Sequence, residues 1–294
     1  MDQSKQREQG LGQHLVLWGR LVRFSHTIFA MPFALSMFVY VSSFTRVRAP
    51  QLLAIVTALV AARTAAMTFN RIIDRDIDGL NPRTRNREIP AGVITVRSAW
   101  VLWASSCALF LAASWFLGMH CLVLAPLVLA VLCYYSWAKR FTSLSHAILG
   151  LALALAPGGV WYALTGSVAW LPVWMMLGVL FWVAGFDILY SCQDIEFDRQ
   201  HALWSVPSRY GEARAFQVSR IFHALAVLCL AQFGAAAHLA PVFWLGLLLF
   251  ALLLFQQHRI VGPGNLTRID AAFFTQNGLA SILFFLAVLL AVYS

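Results

Sequence analysis

Apolar residues do not alternate with polar ones along this chain; they arrive in long blocks. The blocks cover approximately residues 25–44, 50–69, 99–117, 119–137, 145–165, 169–191, 216–236, 239–256 and 271–292. Each is close to the ~20 residues that a helix needs to cross a bilayer. Residues 101–138 contain no Asp, Glu, Lys or Arg. At about 1.5 Å per residue that stretch overshoots one crossing, so it reads as two helices folded back at Gly118. Pro32, Pro126, Pro157, Gly158, Gly159 and Pro172 fall inside or at the ends of blocks, where neighbouring helices in a bilayer protein re-satisfy the freed backbone groups. The pattern predicts an all-α integral membrane protein of about nine transmembrane helices. Residues 25–294 form the transmembrane domain, preceded by an N-terminal segment, 1–24.

Composition agrees. Only 11% of residues are charged, against about a quarter in soluble domains, so the chain lacks the polar surface to face water all round. Leu11, Leu15, Trp18 and Val22 share one helical face, which suits a helix lying on the cytoplasmic surface or a cap on the bundle. The acids and cations at Asp2, Lys5, Arg7 and Glu8 precede no apolar core with a small-residue cleavage site, so this segment is not a cleaved signal peptide. The five cysteines show no CxxC spacing and read as small core residues.

The net charge of +9 raises nucleic-acid binding, but the cations are placed as membrane topology places them. With the N-terminus inside, eighteen of the twenty-one Lys and Arg fall in inside segments; Arg46 and Arg48 fall outside and Arg63 within a span. That bias sets a cytoplasmic N-terminus and a C-terminus on the opposite side. No Lys/Arg run with interleaved aromatics occurs outside those loops, so no nucleic-acid partner is expected.

The acids carry the chemistry. Eight of twelve occupy two windows: Asp74, Asp76, Asp78 and Glu88, then Asp187, Asp194, Glu196 and Asp198. The second and sixth spans lead into them, so both lie on one membrane face. Positions i and i+4 share a helix face, which makes Asn70, Asp74 and Asp78 one oxygen-rich stripe and Asp194 and Asp198 another. Five hard oxygen ligands on two helix ends suit Mg²⁺, and no His pair argues for zinc or iron. Cations crowd the same face: Arg83 and Arg87 after the first window, Lys139 and Arg140 after the fourth span. Each alone reads as a positive-inside anchor; beside the metal stripes they suit the oxygens of a phosphate-bearing ligand. Most aromatics belong to the core or interfacial belt, but Tyr135 and Tyr190, near the acidic helix ends, suit ring faces turned to a carbocation. A diphosphate site opening into a lipid-facing aromatic groove points to a lipid diphosphate.

At this point the motifs resemble a known family. Residues 70–92, NRIIDRDIDGLNPRTRNREIPAG, resemble the first signature of the UbiA superfamily of intramembrane prenyltransferases: Asn70, Asp74 and Asp78, followed by Arg83, Thr84 and Arg87. FDILYSCQDIEFDRQ resembles the second, carried by Asp187, Tyr190, Asp194 and Asp198, and YSWAKR the basic segment after the fourth helix. Two departures stand out: Arg71 where many members carry Asp, and Glu88 where an Arg-Pro pair is common. FSHTIFAMPFA and the run 193–211 resemble the 4-hydroxybenzoate polyprenyltransferase type; relatives acting on a naphthoate in futalosine-route menaquinone biosynthesis are close.

The resemblance implies a bundle around a cytoplasm-facing active site in the bacterial inner membrane, and a role in quinone biosynthesis. It implies two Mg²⁺ ions, a polyprenyl diphosphate donor and an aromatic hydroxy-acid acceptor, with no obligate protein partner. It also implies an allylic cation attacked by the acceptor ring, Asp187 as base or orienter of the acceptor, and Arg23 facing the acceptor carboxylate. Two rivals fit less well. A cation transporter would place its acids mid-bilayer on broken helices, and a CDP-alcohol phosphotransferase would carry a single Asp-Gly…Ala-Arg…Asp run.

Overall fold

The computed structural model describes residues 18–19, 21–22 and 27–294. Arg23 and nearly all of the amphipathic segment expected over 1–24 lie outside the described residues. Of that segment, Leu21 is buried with Ile72, Ile89, Ile94 and Ala99, and Trp18 packs against this cluster.

Among the described residues the elements are helical: α1 (Thr27–Ser42), α2 (Ala49–Ile73), α3 (Arg75–Leu80), α4 (Val96–Leu117), α5 (Met119–Ala138), α6 (Ser145–Thr165) and α7 (Trp170–Ser191). They continue with α8 (Ile195–Gln200), α9 (Val206–Tyr210), α10 (Glu212–Ala236), α11 (Pro241–Ile260) and α12 (Asn277–Tyr293). Eight are long and apolar enough to cross a membrane, the last of them together with the π-helical turn before it. The expectation of about nine included α1, whose 16 residues fall short of the ~20 of a full crossing. The other eight blocks each became one helix, within a few residues of the expected limits.

The local reasons are visible in the sequence. Pro50 sits in the first turn of α2, where its missing N–H costs nothing. Thr95 caps α4 by accepting from the Ser98 N–H at 3.2 Å. The fold-back expected at Gly118 is there: this single residue ends α4 and begins α5 at φ +141° and ψ 157°, a region open essentially to glycine alone.

Packing then rotates the helices into place. Lipid supplies no hydrophobic drive between spans, so close contact depends on small residues and on polar ties. On α7, Gly178 and Gly185 lie seven residues apart on one face and leave room for Leu230 and His223 of α10. The Ser219 hydroxyl donates to the Gly185 carbonyl across that contact at 2.7 Å. At the centre, Trp182, Phe33, Phe250 and Phe284 are buried, with the Phe33 and Phe284 rings stacked at 4.8 Å. Trp182 donates its indole N–H to the Asn277 side-chain oxygen at 3.0 Å. The amide nitrogen of Asn277 serves the Ala272 and Phe273 carbonyls, which the π-helical turn Ala271–Gln276 offers beyond the regular ladder. That turn sets Phe273 against Tyr190, at 4.2 Å between rings.

Candidate active site

The ends of α2, α5 and α7 and the start of α6 meet at one end of the bundle, and the two acidic windows meet there with them. α2 breaks at Asp74, yet the i to i+4 ladder runs through the break. The Asp74 N–H donates to the Asn70 carbonyl at 2.9 Å and the Asp78 N–H to the Asp74 carbonyl at 2.7 Å. Asn70, Asp74 and Asp78 therefore share one face, with Asp74 and Asp78 buried. Asp76 points away: its side chain is 84% exposed and pairs only with Arg75. In the second window a 3₁₀ turn, Cys192–Asp194, separates α7 from α8. Asp194 and Asp198 remain half-buried while Glu196 is exposed, and Asp198 accepts from the Ser205 hydroxyl at 3.0 Å.

Asn70, Asp74, Asp78, Asp194 and Asp198 all line one polar cavity of about 190 Å³, together with Arg83, Arg87, Lys139, Tyr135, Tyr190 and Asp187. Three of its carboxylates hold cations. Asp74 pairs with Lys139 at 2.8 Å and with Arg140 at 3.0 Å. Asp78 takes Arg87 Nη1 on both oxygens at 2.7 Å. Asp194 pairs with Arg83, whose Nε donates at 3.0 Å, and also accepts from Asn81 at 3.0 Å. Partial burial pulls Arg83 toward losing its proton, but the hydrogen bond and charge of Asp194, then Tyr190 and Asp78, hold its pKa above the usual guanidinium value. Asp78 and Arg87 form a more buried pair, and deleting either partner there leaves an uncompensated charge.

Among the described residues no three His, Cys, Asp or Glu side chains stand together as a ready cluster; the acids face Arg and Lys instead. The donor set still fits Mg²⁺: four carboxylates and an amide from two helix ends in one cavity, all offering hard oxygen.

Tyr135 is in the wall of this cavity and also in that of a second, apolar one of about 390 Å³ between α1, α2, α4, α5, α6 and α7. Tyr190 carries Phe273 against its ring and the Arg83 guanidinium 5.4 Å from its centroid. Three residues had been given no functional role by the sequence reading. Asn81, next to Pro82, ties the first window to Asp194. Arg63 is part of the wall of the apolar cavity, its Nε buried without a hydrogen-bond partner; a cation in mid-span was the available signal. His146 is buried on the first turn of α6, with Nδ1 2.7 Å from Asp187 Oδ2 and Nε2 accepting from the Val206 N–H at 3.2 Å. The sequence offered no signal for it beyond a histidine at the mouth of an apolar block.

The UbiA prenyltransferase family matches residues 29–292. Similar proteins include the 4-hydroxybenzoate octaprenyltransferase of Francisella tularensis subsp. novicida, 26% identical over 235 residues, 79% of this chain and 81% of that protein. The 4-hydroxybenzoate octaprenyltransferase of Chromohalobacter salexigens is 29% identical over 217 residues, 71% of this chain and 70% of that protein. Among solved structures, a UbiA homolog from Aeropyrum pernix K1 superimposes with a TM-score of 0.82 at 33% identity, covering 90% of this chain and 97% of that one. A UbiA homolog from Archaeoglobus fulgidus bound to GPP and Mg²⁺ shares the fold, with a TM-score of 0.73 at 20% identity over 95% of this chain and all of that one.

Proposed function

Because the chain belongs to the UbiA prenyltransferase family, we propose that it moves a polyprenyl chain from its diphosphate to the ring of an aromatic hydroxy acid, 4-hydroxybenzoate, in quinone biosynthesis. One observation carries this reading. A polar cavity rich in carboxylates, Arg and Lys meets, at Tyr135, an apolar cavity of about 390 Å³. The relatives named for 4-hydroxybenzoate support the acceptor.

Asn70, Asp74, Asp78, Asp194 and Asp198 would hold Mg²⁺, two ions by family likeness; bound there, the metal supplies positive charge against the departing diphosphate. The protein's own groups do the rest. Arg83, Arg87, Lys139 and Arg140 exchange carboxylate oxygens for phosphate oxygens and orient the diphosphate. The faces of Tyr135 and Tyr190 shelter the allylic cation from water. Asp187 takes the ring proton. The carboxylate handle assigned to Arg23 falls outside the described residues, and Arg63 is a second candidate. It lies seven residues before Asn70 on the same face of α2, about 10 Å deeper by helical rise. An acceptor held there by its carboxylate points its ring toward the diphosphate end.

The site faces the cytoplasm of the inner membrane in this reading, since the loops beside it carry the inside cations. The test incubates purified protein with Mg²⁺, a polyprenyl diphosphate and a panel containing 4-hydroxybenzoate and hydroxylated naphthoates, with products identified by mass. Ring-prenylated benzoate is expected. A naphthoate product alone reassigns the acceptor, and no ring product from any acid overturns the reading.

A further inference from the structure

Resting on that reading, we infer that His146 is a positioning residue for the reaction: its Nδ1–H holds the Asp187 carboxyl group by Oδ2 in the cavity wall, where it takes the proton that leaves the acceptor ring.

The argument begins with the tautomer. Each nitrogen of a neutral imidazole is either a donor or an acceptor. The Val206 backbone N–H points at Nε2 of His146, 3.2 Å away. A backbone amide only donates, so Nε2 must accept, and the ring proton must sit on Nδ1. An imidazolium would set its own N–H against that of Val206 inside a buried pocket, where His146 is only 4% exposed. Nδ1–H then donates to Asp187 Oδ2 at 2.7 Å. The donor is fixed, so Asp187 Oδ2 can only be the acceptor in this bond. Its side chain remains 21% exposed as part of the polar cavity wall.

The placement links three elements: His146 on α6, Asp187 on α7, and Val206 at the start of α9. Ser205, beside Val206, supports Asp198 of the second acidic window. One loop thus holds a proposed metal ligand and, one residue on, sets the tautomer behind the proposed base. In the reaction, the allylic C–O bond breaks and diphosphate leaves with the electron pair. A ring carbon then bonds to the allylic carbon. The C–H bond at that ring carbon breaks, its electrons restore aromaticity, and the proton passes to Asp187 and on to water. No oxidant or further co-reactant enters.

A purely structural role predicts something different, that His146 matters as an acceptor stapling the Val206 loop. The substitutions separate the two. His146→Leu removes both contacts; His146→Asn keeps a donor at the Nδ1 position and loses the Nε2 acceptor. His146→Leu is expected to lower kcat about 10- to 100-fold, as loss of an orienting partner does, leaving KM for the prenyl diphosphate nearly unchanged. His146→Asn should recover most of the rate, and His146→Leu should cost little more in an Asp187→Asn background. If His146→Asn is as impaired as His146→Leu, or the losses simply add, the inference fails. Nitrogen-15 NMR of labelled His146 gives a readout independent of any acceptor. A protonated Nδ1 with a bare Nε2 is expected, and an imidazolium or the opposite tautomer overturns the assignment. Absence of ring prenylation by the unmodified protein would count against the proposed function, while the nitrogen shifts would still decide this inference.

Discussion

The two cavities that share Tyr135 treat charge in opposite ways. In the polar one, Asp74, Asp78 and Asp194 hold Lys139, Arg140, Arg87 and Arg83, so acids and bases neutralise one another. In the apolar one, Arg63 stands with its Nε unpartnered in a largely apolar wall that also holds Tyr135. A neutralised cluster at a helix end stores a set of charges that a diphosphate and its metals can rearrange. A buried guanidinium nitrogen without a hydrogen-bond partner is costly until an acceptor reaches it, and an anionic one serves best. In the proposed reaction the leaving group belongs to the first cavity and the carboxylate handle to the second.

The strongest way to break that division is to remove the acids. Asp74→Ala, Asp78→Ala, Asp194→Ala and Asp198→Ala should each lower kcat on the order of 10³-fold, the scale of losing one stabiliser of a developing anion. Asp76→Ala, on the exposed side, should stay within about 3-fold. Steady-state rates at saturating Mg²⁺ decide; a dead Asp76→Ala beside an active Asp74→Ala would refute the shared-face argument.

Removing the cation from the other cavity should look different. Arg63→Leu is expected to cut kcat/KM for the carboxylated acceptor about 10- to 100-fold, the worth of a charge-assisted hydrogen bond, with the diphosphate KM unmoved. Arg23→Ala runs beside it as the rival handle. If either variant weakens the diphosphate and spares acceptor selectivity, that arginine belongs to the phosphate shell.

Tyr135 tests the junction. Tyr135→Phe keeps the ring face and should retain most activity, whereas Tyr135→Leu should lose about 3- to 30-fold by the scale of a cation–π contact. Free polyprenol, formed when water captures the cation, should rise with it; unchanged product ratios in Tyr135→Leu would remove the ring from the mechanism. An effect on chain length rather than on rate is expected at Ala156 in the apolar wall. Ala156→Phe should shift preference toward shorter diphosphates by about 10-fold, since a few methylenes carry that much discrimination. Equal use of all lengths would place the chain elsewhere.

What the sequence determined by itself is what depends on near neighbours. Block length and the absence of charge set α2, α4 to α7 and α10 to α12, because a backbone in lipid must satisfy its own hydrogen bonds. A single glycine between two blocks set the turn at Gly118. The spacing of four placed Asn70, Asp74 and Asp78 on one face and turned Asp76 outward. Only the tertiary structure decided which side chains meet across helices. The pairing of Arg83 with Asp194, of Lys139 with Asp74 and of His146 with Asp187 depends on how far each helix is rotated about its axis. That rotation comes from close contacts such as Gly178 and Gly185 against α10, and from ties such as Trp182 to Asn277. A uniformly apolar span carries no record of its own rotation, since every face of it looks alike to lipid. Arg63 was therefore legible as an anomaly within a span, but not as part of a cavity wall until six helices had enclosed one.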